Sequence, residues 1–396
     1  MADQDRTRGP VLRLICVAAL MAVAGLGGCT SSSVDAASPT AAAPQVSMCS
    51  VSDADLAARG AEIWTGISAA FAGSTTNQFE KTKAVLISVC GRPVVTQYLG
   101  GATPTDYYQI ASATKSVIST LVGIALSEGL LHGVDQTLGE LLPARRAQMT
   151  PAVAAITLRQ LLTMTAGLDA DGNDSSVSDW ISSTDFVGGI LRRGITGQTG
   201  TWAYSSATSH LLAAIVAQAT GRPVLDYARE KLFGPIGIDA PAGEQLLLAE
   251  GNGPAYDRAG FAWPVDHQGV NFGGGWLRLT PGDLLKLGQL YLDEGRYQGR
   301  QVVPAEWVRE ATRSQVETRS GFAGEGYGYQ WWVPTAAGQP AYAAVGYGGQ
   351  LVEVVPSRRL VAVFVTEVLT TTPYVRVDAK AYEDMVAYQV IPHLPA

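Results

Sequence analysis

A serine and a lysine three positions apart, Ser112 and Lys115, are the residues of this chain best suited to nucleophilic chemistry. A serine hydroxyl is a weak nucleophile that needs a neighbouring base, and an amine one helical turn away can serve as that base. Serine–lysine pairs are a known variant of the serine nucleophile. The spacing alone leaves a second interpretation open, in which Ser112 caps a helix and Lys115 is a solvated surface lysine.

The apolar positions that follow predict a helix over residues 116–130, with Ser112 at its N-terminal end and Lys115 on the same face. A helix N-terminus carries partial positive charge and N–H groups without intrahelical partners. This charge disfavours a protonated lysine, as burial does, and so makes a neutral amine base accessible. The Ser112 N–H is also well placed to hold a developing oxyanion.

Composition excludes several classes of function. Of the 396 residues, 47% are apolar, the net charge is −7, and no run of basic residues follows residue 13. These values argue against nucleic-acid binding and for a compact, weakly acidic enzyme body. Metal-ligand spacing and a glycine-rich phosphate loop are both missing, so we expect neither a metal nor another cofactor. The four histidines are scattered, at His132, His210, His267 and His393.

The N-terminal residues follow the order of a secretion signal. Three arginines, at positions 6, 8 and 13, precede an apolar run over residues 14–26 that is too short for a membrane span. The run ends in Leu26-Gly27-Gly28-Cys29, which resembles the cleavage box of bacterial lipoproteins, where the cysteine is lipidated. We predict a signal peptide over residues 1–28, a membrane anchor at Cys29 and a flexible tether over residues 29–52. The alternative is an ordinary signal peptide with an incidental cysteine.

The remaining cysteines predict a disulfide. Cys16 leaves with the signal peptide and Cys29 takes lipid, so that Cys49 and Cys90 remain. Outside the cytoplasm a lone pair of thiols is more often bridged than free, so we predict a Cys49–Cys90 disulfide, with two buried free thiols as the alternative. Closing this loop would contribute about 3–4 kcal/mol to stability.

Strand-like runs occur near both ends of the chain, with helical sequence between them. Runs rich in β-branched residues predict two hairpins, with strands over residues 84–89, 94–98, 351–355 and 360–365. Helical spacing predicts further helices over residues 53–72, 158–165, 206–220, 283–294 and 378–390.

This order of elements predicts an α/β (α+β) sandwich. An antiparallel sheet closed by the two chain ends is flanked by helices and carries an inserted, mostly helical lobe. The sheet lobe covers about residues 53–104 and 275–396, and the helical lobe covers about residues 105–274.

Other stretches give the serine–lysine pair a context. They are Ser112-Ala113-Thr114-Lys115-Ser116, residues 130–136, residues 157–168, Tyr204-Ser205-Ser206, Gly274-Gly275-Trp276 and Gly346-Tyr347-Gly348-Gly349-Gln350. In this order they resemble the serine β-lactamase, penicillin-binding protein and DD-peptidase superfamily, particularly its class C-like and esterase members. The resemblance runs from about residue 55 to the C-terminus. It implies that Ser112 is an acylated nucleophile and Lys115 its base, in a cleft between the two lobes.

The resemblance gives Tyr204 a role as well. A tyrosine at this position of the superfamily lies beside the nucleophile and relays protons to the leaving group, a role that suits a phenol. The alternative is a tyrosine packed ahead of a helix that Ser205 or Ser206 caps. The third residue of the motif is commonly Asn, whereas this chain has Ser206. Its hydroxyl can bind a substrate carbonyl, but with a shorter reach and one donor fewer.

The strand that lines the site departs further from the superfamily. The usual Lys-Thr-Gly, or its His variant, is replaced here by Ala344-Val345-Gly346 followed by Tyr347. Gly346 still allows the backbone to approach the substrate closely, and the Tyr347 N–H becomes the second predicted oxyanion donor. The missing cation would bind the carboxylate of a β-lactam or a D-alanyl peptide, so its loss argues against both substrates.

Tyr-x-Ser and the missing cation resemble the branch that contains 6-aminohexanoate-oligomer hydrolases and carboxylesterases. We therefore expect a monomeric extracytoplasmic serine hydrolase, anchored to the membrane by lipid, that forms an acyl-enzyme on Ser112 and cleaves small esters or linear amides. Two alternatives remain open. One is a DD-peptidase or weak β-lactamase, and the other is a non-catalytic sensor of cell-wall peptides.

Overall fold

The computed structural model describes residues 48–168, 180–241, 246–248, 253–318, 325–371 and 379–395. The predicted signal peptide, Cys29 and residues 30–47 of the predicted tether lie outside the described residues. Among the helices that are described, none is both long enough and apolar enough to cross a bilayer.

The largest element is an antiparallel sheet built from both ends of the chain. The strands of the protein are β1 (Thr82–Val89), β2 (Arg92–Tyr98), β3 (Tyr108–Gln109), β4 (Arg278–Leu279), β5 (Arg296–Tyr297), β6 (Arg300–Gln301), β7 (Val316–Glu317), β8 (Gly326–Tyr327), β9 (Trp332–Val333), β10 (Thr335–Ala336), β11 (Gln339–Pro340), β12 (Tyr342–Gly346), β13 (Gln350–Val355) and β14 (Leu360–Thr366). The eight-stranded sheet has the order β2-β1-β14-β13-β12-β9-β8-β7. Strand β14 lies between β1 and β13, so the C-terminal hairpin closes the N-terminal one.

Helices cover both faces of this sheet. The α-helices are α1 (Asp53–Gly73), α2 (Thr114–Ser127), α3 (Leu138–Leu141), α4 (Pro151–Ala154), α5 (Leu158–Leu162), α6 (Phe186–Arg193), α7 (Ser206–Thr220), α8 (Val224–Ala228), α9 (Gly253–Arg258), α10 (Pro281–Leu292), α11 (Ala305–Thr312) and α12 (Ala379–Met385). Short 3₁₀ segments cover Met48–Ser50, Asn77–Phe79, Ala111–Ala113, Pro143–Gln148, Gly234–Ile236, Pro356–Arg358 and Ile391–His393, and π-helical segments cover Arg229–Phe233 and Val386–Val390. The helices between β3 and β4 form the predicted helical insertion.

Period-2 alternation along the strands divides the interior into two cores. In β1, Leu86 points into the core shared with α2, α7 and α10, whereas Val85 and Ile87 point into the core beneath α1 and α12. Both faces of the central strands are buried, which explains why their sequences are continuous apolar runs rather than alternating ones. The predicted fold class, an antiparallel sheet flanked by helices with a helical insertion, is confirmed.

Several predicted boundaries shift for local reasons. The helix predicted over residues 158–165 ends at Leu162, because Met164 takes a left-handed φ of 56°. The helix predicted over residues 116–130 begins at Thr114 and ends at Ser127. The helix predicted over residues 283–294 starts earlier, at Pro281, because Thr280 caps it and a proline occupies its first position, and it ends at Leu292.

The N-terminal segment is tied to the domain before α1 begins. Cys49 and Cys90 form a disulfide with Cα atoms 5.5 Å apart, across a sequence separation of 41 residues. Arg92 adds hydrogen bonds from its guanidinium to the carbonyl oxygens of Val51, at 2.7 Å, and Cys49, at 3.2 Å. Residues 49–51, which fall within the predicted tether, are thus bound to the domain.

Candidate active site

Ser112 lies in a tight turn that delivers it to the start of α2. The turn is the 3₁₀ segment Ala111–Ala113, and no side chain caps the helix that follows it. Ser112 is therefore not a capping serine. Ala111 adopts a left-handed φ of 46°, which costs a residue with a β-carbon about 1–2 kcal/mol. The carbonyl oxygen of Ala111 accepts a 2.7 Å hydrogen bond from Thr114 Oγ1, which helps to hold the strained turn.

Lys115 is buried beside Ser112. Its residue is 1% exposed, and its Nζ atom lies 3.0 Å from Ser112 Oγ and 3.2 Å from Ser206 Oγ. It also donates a 2.7 Å hydrogen bond to the carbonyl oxygen of Gly274. The alternative of a solvated surface lysine is therefore wrong.

These contacts suit a lysine that changes its protonation state. An ammonium has three N–H donors, whereas a neutral amine has two donors and one lone pair. The Gly274 carbonyl oxygen can only accept, and Ser206 Oγ can accept as well. When Lys115 loses a proton, its lone pair can therefore face Ser112 Oγ, 3.0 Å away, and accept the hydroxyl proton.

Tyr204 completes one side of this group. The Lys115 Nζ atom lies 4.8 Å from the centroid of the Tyr204 ring, and the ring stacks on Trp332 with centroids 5.9 Å apart. Ser205 caps α7 by accepting a 3.2 Å hydrogen bond from the Thr208 N–H. Because Ser205 is the cap, the next residue begins the helix with its hydroxyl directed at Lys115. Ser205 therefore caps the helix, while Ser206 contacts Lys115 in the site.

The end of β12 meets the turn that carries Ser112. A β-carbon built on Gly346 would lie 2.3 Å from the carbonyl oxygen of Ile110, so only glycine permits this approach. Tyr347, which follows, is 48% exposed and lines the same cleft as Ser112. The structure thus places Gly346 and Tyr347 at the site, where sequence placed them. The oxyanion role of the Tyr347 N–H stays a prediction.

The cleft above Ser112 has a volume of about 500 Å³. Among its described lining residues there is no lysine, arginine or histidine, in agreement with the replaced cation of the site strand. The lining residues are Gln109, Ala111, Ser112, Ile181, Ser206, Phe272, Gly274, Gly275, Trp276, Tyr347, Val368 and Thr370. A separate cavity of about 550 Å³ lies at the C-terminal end of α2, where it contains none of the predicted site residues. In the described part of the chain, no group of His, Cys, Asp or Glu side chains is arranged to hold a metal ion.

Sequence reasoning missed Gln330, which joins three helices behind the site. It is 2% exposed with a left-handed φ of 62°. Its side chain donates to the carbonyl oxygen of Leu162 at 3.0 Å and accepts from Ser209 Oγ at 2.7 Å. Its own carbonyl oxygen accepts from Ser116 Oγ at 2.8 Å. Gln330 thereby connects α2, α5 and α7, and no local sequence signal indicates contacts between residues so distant in the chain.

A second missed feature is a buried histidine–aspartate pair. His210 is 0% and Asp266 1% exposed, and the His210 Nε2 atom lies 3.0 Å from Asp266 Oδ2. Burial raises the pKa of the Asp266 carboxyl, but hydrogen bonds from His210 and from the N–H groups of Val270 and Gln268 outweigh it and bring the pKa below its usual value. His210 and Asp266 are 56 residues apart, so no local spacing in the sequence indicates that they pair.

The pair lies one residue from the acceptor of the lysine. Gly273 donates its N–H to His210 Nδ1 at 3.5 Å, and Gly274 provides the carbonyl oxygen that binds Lys115. A β-carbon on Gly273 would lie 2.1 Å from the carbonyl oxygen of Ser209, so the segment packs directly on α7. His210 therefore positions the loop that orients the lysine.

Comparison with known proteins agrees with this geometry. The Beta-lactamase family model matches residues 76–387, and the chain belongs to that family. The 6-aminohexanoate-dimer hydrolase of Paenarthrobacter ureafaciens is 25% identical over 292 residues, which cover 68% of each chain. The predicted superfamily is confirmed. The chain is accordingly an enzyme of the serine-hydrolase class, in a family that includes esterases, amidases and penicillin-binding proteins.

Solved structures share the fold at lower identity. EstCE1, a hydrolase with promiscuous acyltransferase activity, has a TM-score of 0.64 at 19% identity, and the match covers 85% of this chain and 100% of EstCE1. The octameric penicillin-binding protein homologue from Pyrococcus abyssi has a TM-score of 0.63 at 16% identity, with 84% of this chain and 77% of the homologue covered.

Proposed function

We propose that this protein is an extracytoplasmic serine hydrolase that forms an acyl-enzyme on Ser112 and cleaves small esters or linear amides. The observation that carries the proposal is the buried Lys115 Nζ atom, 3.0 Å from Ser112 Oγ. A buried lysine that touches a serine hydroxyl at a cleft is one arrangement that can activate a serine nucleophile.

The contacts support a proposed acylation step. Ser112 Oγ bonds to the substrate carbonyl carbon while its proton passes to Lys115 Nζ. The N–H groups of Ser112 and Tyr347 hold the oxyanion of the tetrahedral intermediate. When the intermediate collapses, the bond to the leaving oxygen or nitrogen breaks, and Tyr204 delivers the proton that the leaving group needs. The proton taken up by Lys115 replaces the one that Tyr204 gives.

Deacylation reverses these roles, with water as the nucleophile. The Tyr204–Lys115 pair accepts a proton from water as the water oxygen bonds to the acyl carbon. The bond to Ser112 Oγ then breaks, and Oγ recovers a proton from the pair as the acid product leaves. The Ser206 hydroxyl can accept a hydrogen bond from Lys115 while it donates one to a carbonyl oxygen of the substrate.

The cleft favours uncharged substrates. Its described lining offers apolar surfaces from Phe272, Trp276 and Val368 but no cation. A β-lactam or a D-alanyl peptide would leave its carboxylate without a charged partner there, at a cost that neutral esters and amides do not incur. The 6-aminohexanoate-dimer hydrolase, whose name describes a dimer of an amino acid, supports amides as one substrate class but does not bear on the preference for uncharged substrates.

The proposed location depends on the N-terminal sequence. A lipid on Cys29 would anchor the enzyme at the outer face of the cell membrane, with residues 30–47 as the tether. Expression with a labelled fatty acid tests this: we expect label on the wild-type protein and none on Cys29→Ser. Label that persists in the variant, or its absence from both proteins, would contradict the anchor.

A substrate panel tests the chemistry. Short-chain nitrophenyl esters, a chromogenic cephalosporin and a fluorophosphonate probe are each applied to the wild type, to Ser112→Ala and to the control Ser127→Ala at the far end of α2. We expect ester turnover and covalent labelling by the wild type and the control, and neither by Ser112→Ala. Rapid cephalosporin turnover would instead support a β-lactamase, and a wild type that neither labels nor turns over would support a non-catalytic sensor.

A further inference from the structure

One wall of the cleft is a short segment held by a single carboxylate. Residues 368–371, called here the strap, follow β14, and Val368 and Thr370 line the cleft. Asp257, on α9, accepts hydrogen bonds from the backbone N–H groups and the hydroxyls of both Thr370 and Thr371, at 2.8 to 3.2 Å. A carboxylate that accepts from four donors fixes a segment far more firmly than one hydrogen bond does.

Hydrogen bonding also explains the charge state of this carboxylate. Burial raises the pKa of Asp257, but the hydrogen bonds from Thr370 and Thr371 outweigh it and lower the pKa below its usual value. In the described part of the chain, no lysine or arginine lies within ion-pair distance of it. Among the described residues, the hydrogen bonds of Asp257 thus all come from the strap, and none comes from a salt-bridge partner.

The strap also touches the strand end that carries the predicted oxyanion donor. A β-carbon on Gly348 would lie 2.3 Å from Val368 Cγ2, so the strap packs tightly against the turn after Tyr347. At the other end, a β-carbon on Gly253 would lie 2.4 Å from Thr370 Oγ1, so the strap is equally close to α9. Both contacts depend on glycine, and the strap fills the space between them.

The same helix supports a second wall of the cleft. Tyr256, next to Asp257, donates its hydroxyl to the carbonyl oxygen of Trp276 at 2.9 Å, and the two rings lie 5.0 Å apart. Trp276 lines the cleft and has a left-handed φ of 68°. Helix α9 therefore holds two walls, Trp276 through Tyr256 and the strap through Asp257.

We propose that Asp257 is a specificity-determining positioning residue, which holds the strap against the cleft and so limits the length of the substrate chain that reaches Ser112. This inference rests on the proposed hydrolase function. Asp257 acts through Val368 and Thr370 rather than by touching the substrate. Its loss should widen the cleft while leaving Ser112, Lys115 and their contacts in place.

A chain-length series tests the proposal in the full-length enzyme. We compare nitrophenyl acetate, butanoate, octanoate and decanoate on the wild type, Asp257→Ala, Thr371→Val and the control Asp135→Asn, an exposed carboxylate elsewhere in the helical lobe. For Asp257→Ala we expect kcat/KM for decanoate relative to acetate to rise about tenfold, mostly through KM, with acetate kcat within about twofold of wild type. Thr371→Val should give a smaller shift in the same direction, because it removes one donor from a residue that does not line the cleft.

A second measurement does not depend on catalysis. In a Ser112→Cys background that also lacks Cys16 and Cys29, the new thiol is modified with N-ethylmaleimide or with a bulky fluorescein maleimide. We expect Asp257→Ala to accelerate the bulky reagent about tenfold and the small one by less than twofold. If Asp257→Ala accelerated both reagents by the same factor, or neither of them, the role of the strap would be overturned whatever the ester profile. Selective acceleration in a protein that cleaves no ester would refute the proposed function while retaining the strap.

Discussion

Two buried clusters of titratable residues, His210–Asp266 and Glu353–Glu383, differ in how many of their polar atoms have hydrogen-bond partners. All four residues are at most 5% exposed. In the first cluster, Asp266 accepts from His210 at 3.0 Å and from two backbone N–H groups. In the second, neither carboxyl oxygen of Glu353 has a hydrogen-bond partner among the described residues.

Their pKa values move in opposite directions for this reason. Hydrogen bonds outweigh burial at Asp266 and lower its pKa. At Glu353, burial raises the pKa well above the usual value, the nearby carboxylates of Glu383 and Asp384 raise it further, and only Lys380 acts against them. Hydrogen bonding therefore favours the ionised form of Asp266, whereas burial favours the protonated form of Glu353.

The two clusters also differ in how closely they are connected to the proposed catalytic lysine. The His210 cluster is connected to Lys115 through Gly273 and Gly274, so an error in its geometry would reach the proposed base. Glu353 lies opposite Ala343 and Ala362 in the sheet, in the core beneath α12, and none of its side-chain hydrogen bonds or strand pairings among the described residues involves Ser112 or Lys115. We therefore expect the first cluster to control rate and the second to control stability.

The largest effect is expected at the residue that the first cluster orients. Lys115→Met removes the base while keeping a side chain of similar length, and we expect ester kcat/KM and the fluorophosphonate labelling rate to fall at least about 10³-fold. Lys286→Met, on the partly exposed face of α10, is the matched control and should retain wild-type labelling. If Lys115→Met labelled as fast as wild type, Lys115 would not be the base. The His210–Asp266 cluster would then have no route by which to control the rate.

The next effect concerns the histidine–aspartate pair itself. His210→Asn shortens the side chain and weakens the support of the 273–274 backbone, and we expect kcat to fall about 10- to 100-fold with a smaller change in KM. The pH profile of kcat should shift as well, since Lys115 loses a well-placed acceptor. The kinetic constants and the pH profile are normalised to the folded fraction of each variant, which circular dichroism gives.

The exposed His267, changed to Asn, serves as the control for that experiment and should behave as wild type. Asp266→Asn should reproduce the direction of the His210→Asn effect. A His210→Asn protein that is less stable but has an unchanged kcat and pH profile would assign the pair to stability alone and remove the difference between the clusters.

The sequence supported those parts of the structure that have local signals. Residues 206–220 form a helix with the predicted bounds, because a Ser205 cap precedes it and Gly221, with a left-handed φ of 64°, ends it. The two terminal hairpins were predictable for the same reason, since β-branched runs on either side of a tight turn specify them. The two-residue strands β7, β8 and β9 are too short to show any period.

The site could be predicted only as far as motifs extend. Ser112, Lys115, Tyr204 and Ser206 were found through local patterns and a resemblance, and the structure brings them together. Contacts between distant residues were not predictable. His210 and Asp266 are 56 residues apart, and Ser116 meets a carbonyl oxygen 214 residues away. Such pairs depend on tertiary packing, which determines the left-handed turn at Ala111 as well.

The smallest effect is expected at Glu353, and it should appear in stability alone. The folded chain holds the Glu353 proton above the ordinary pKa of 4.5, at which the unfolded chain releases it. The folded state thus binds more protons over that interval, so the stability present below about pH 4.5 is lost as pH rises through the raised pKa. Glu353→Gln, which cannot ionise, should remove this loss and unfold at higher urea concentration than wild type at pH 9.

We expect the gain at pH 9 to shrink toward pH 5, because Gln avoids only the linkage cost of ionising a buried carboxyl, and that cost grows with pH. Urea denaturation at both pH values measures it, and ester kcat should equal that of wild type throughout. Glu62→Gln, on α1, provides an exposed carboxylate control with no such pH dependence. A Glu353→Gln protein whose stability tracks wild type at both pH values would show that Glu353 titrates normally, and a fall in kcat would show that this cluster, too, acts on the site.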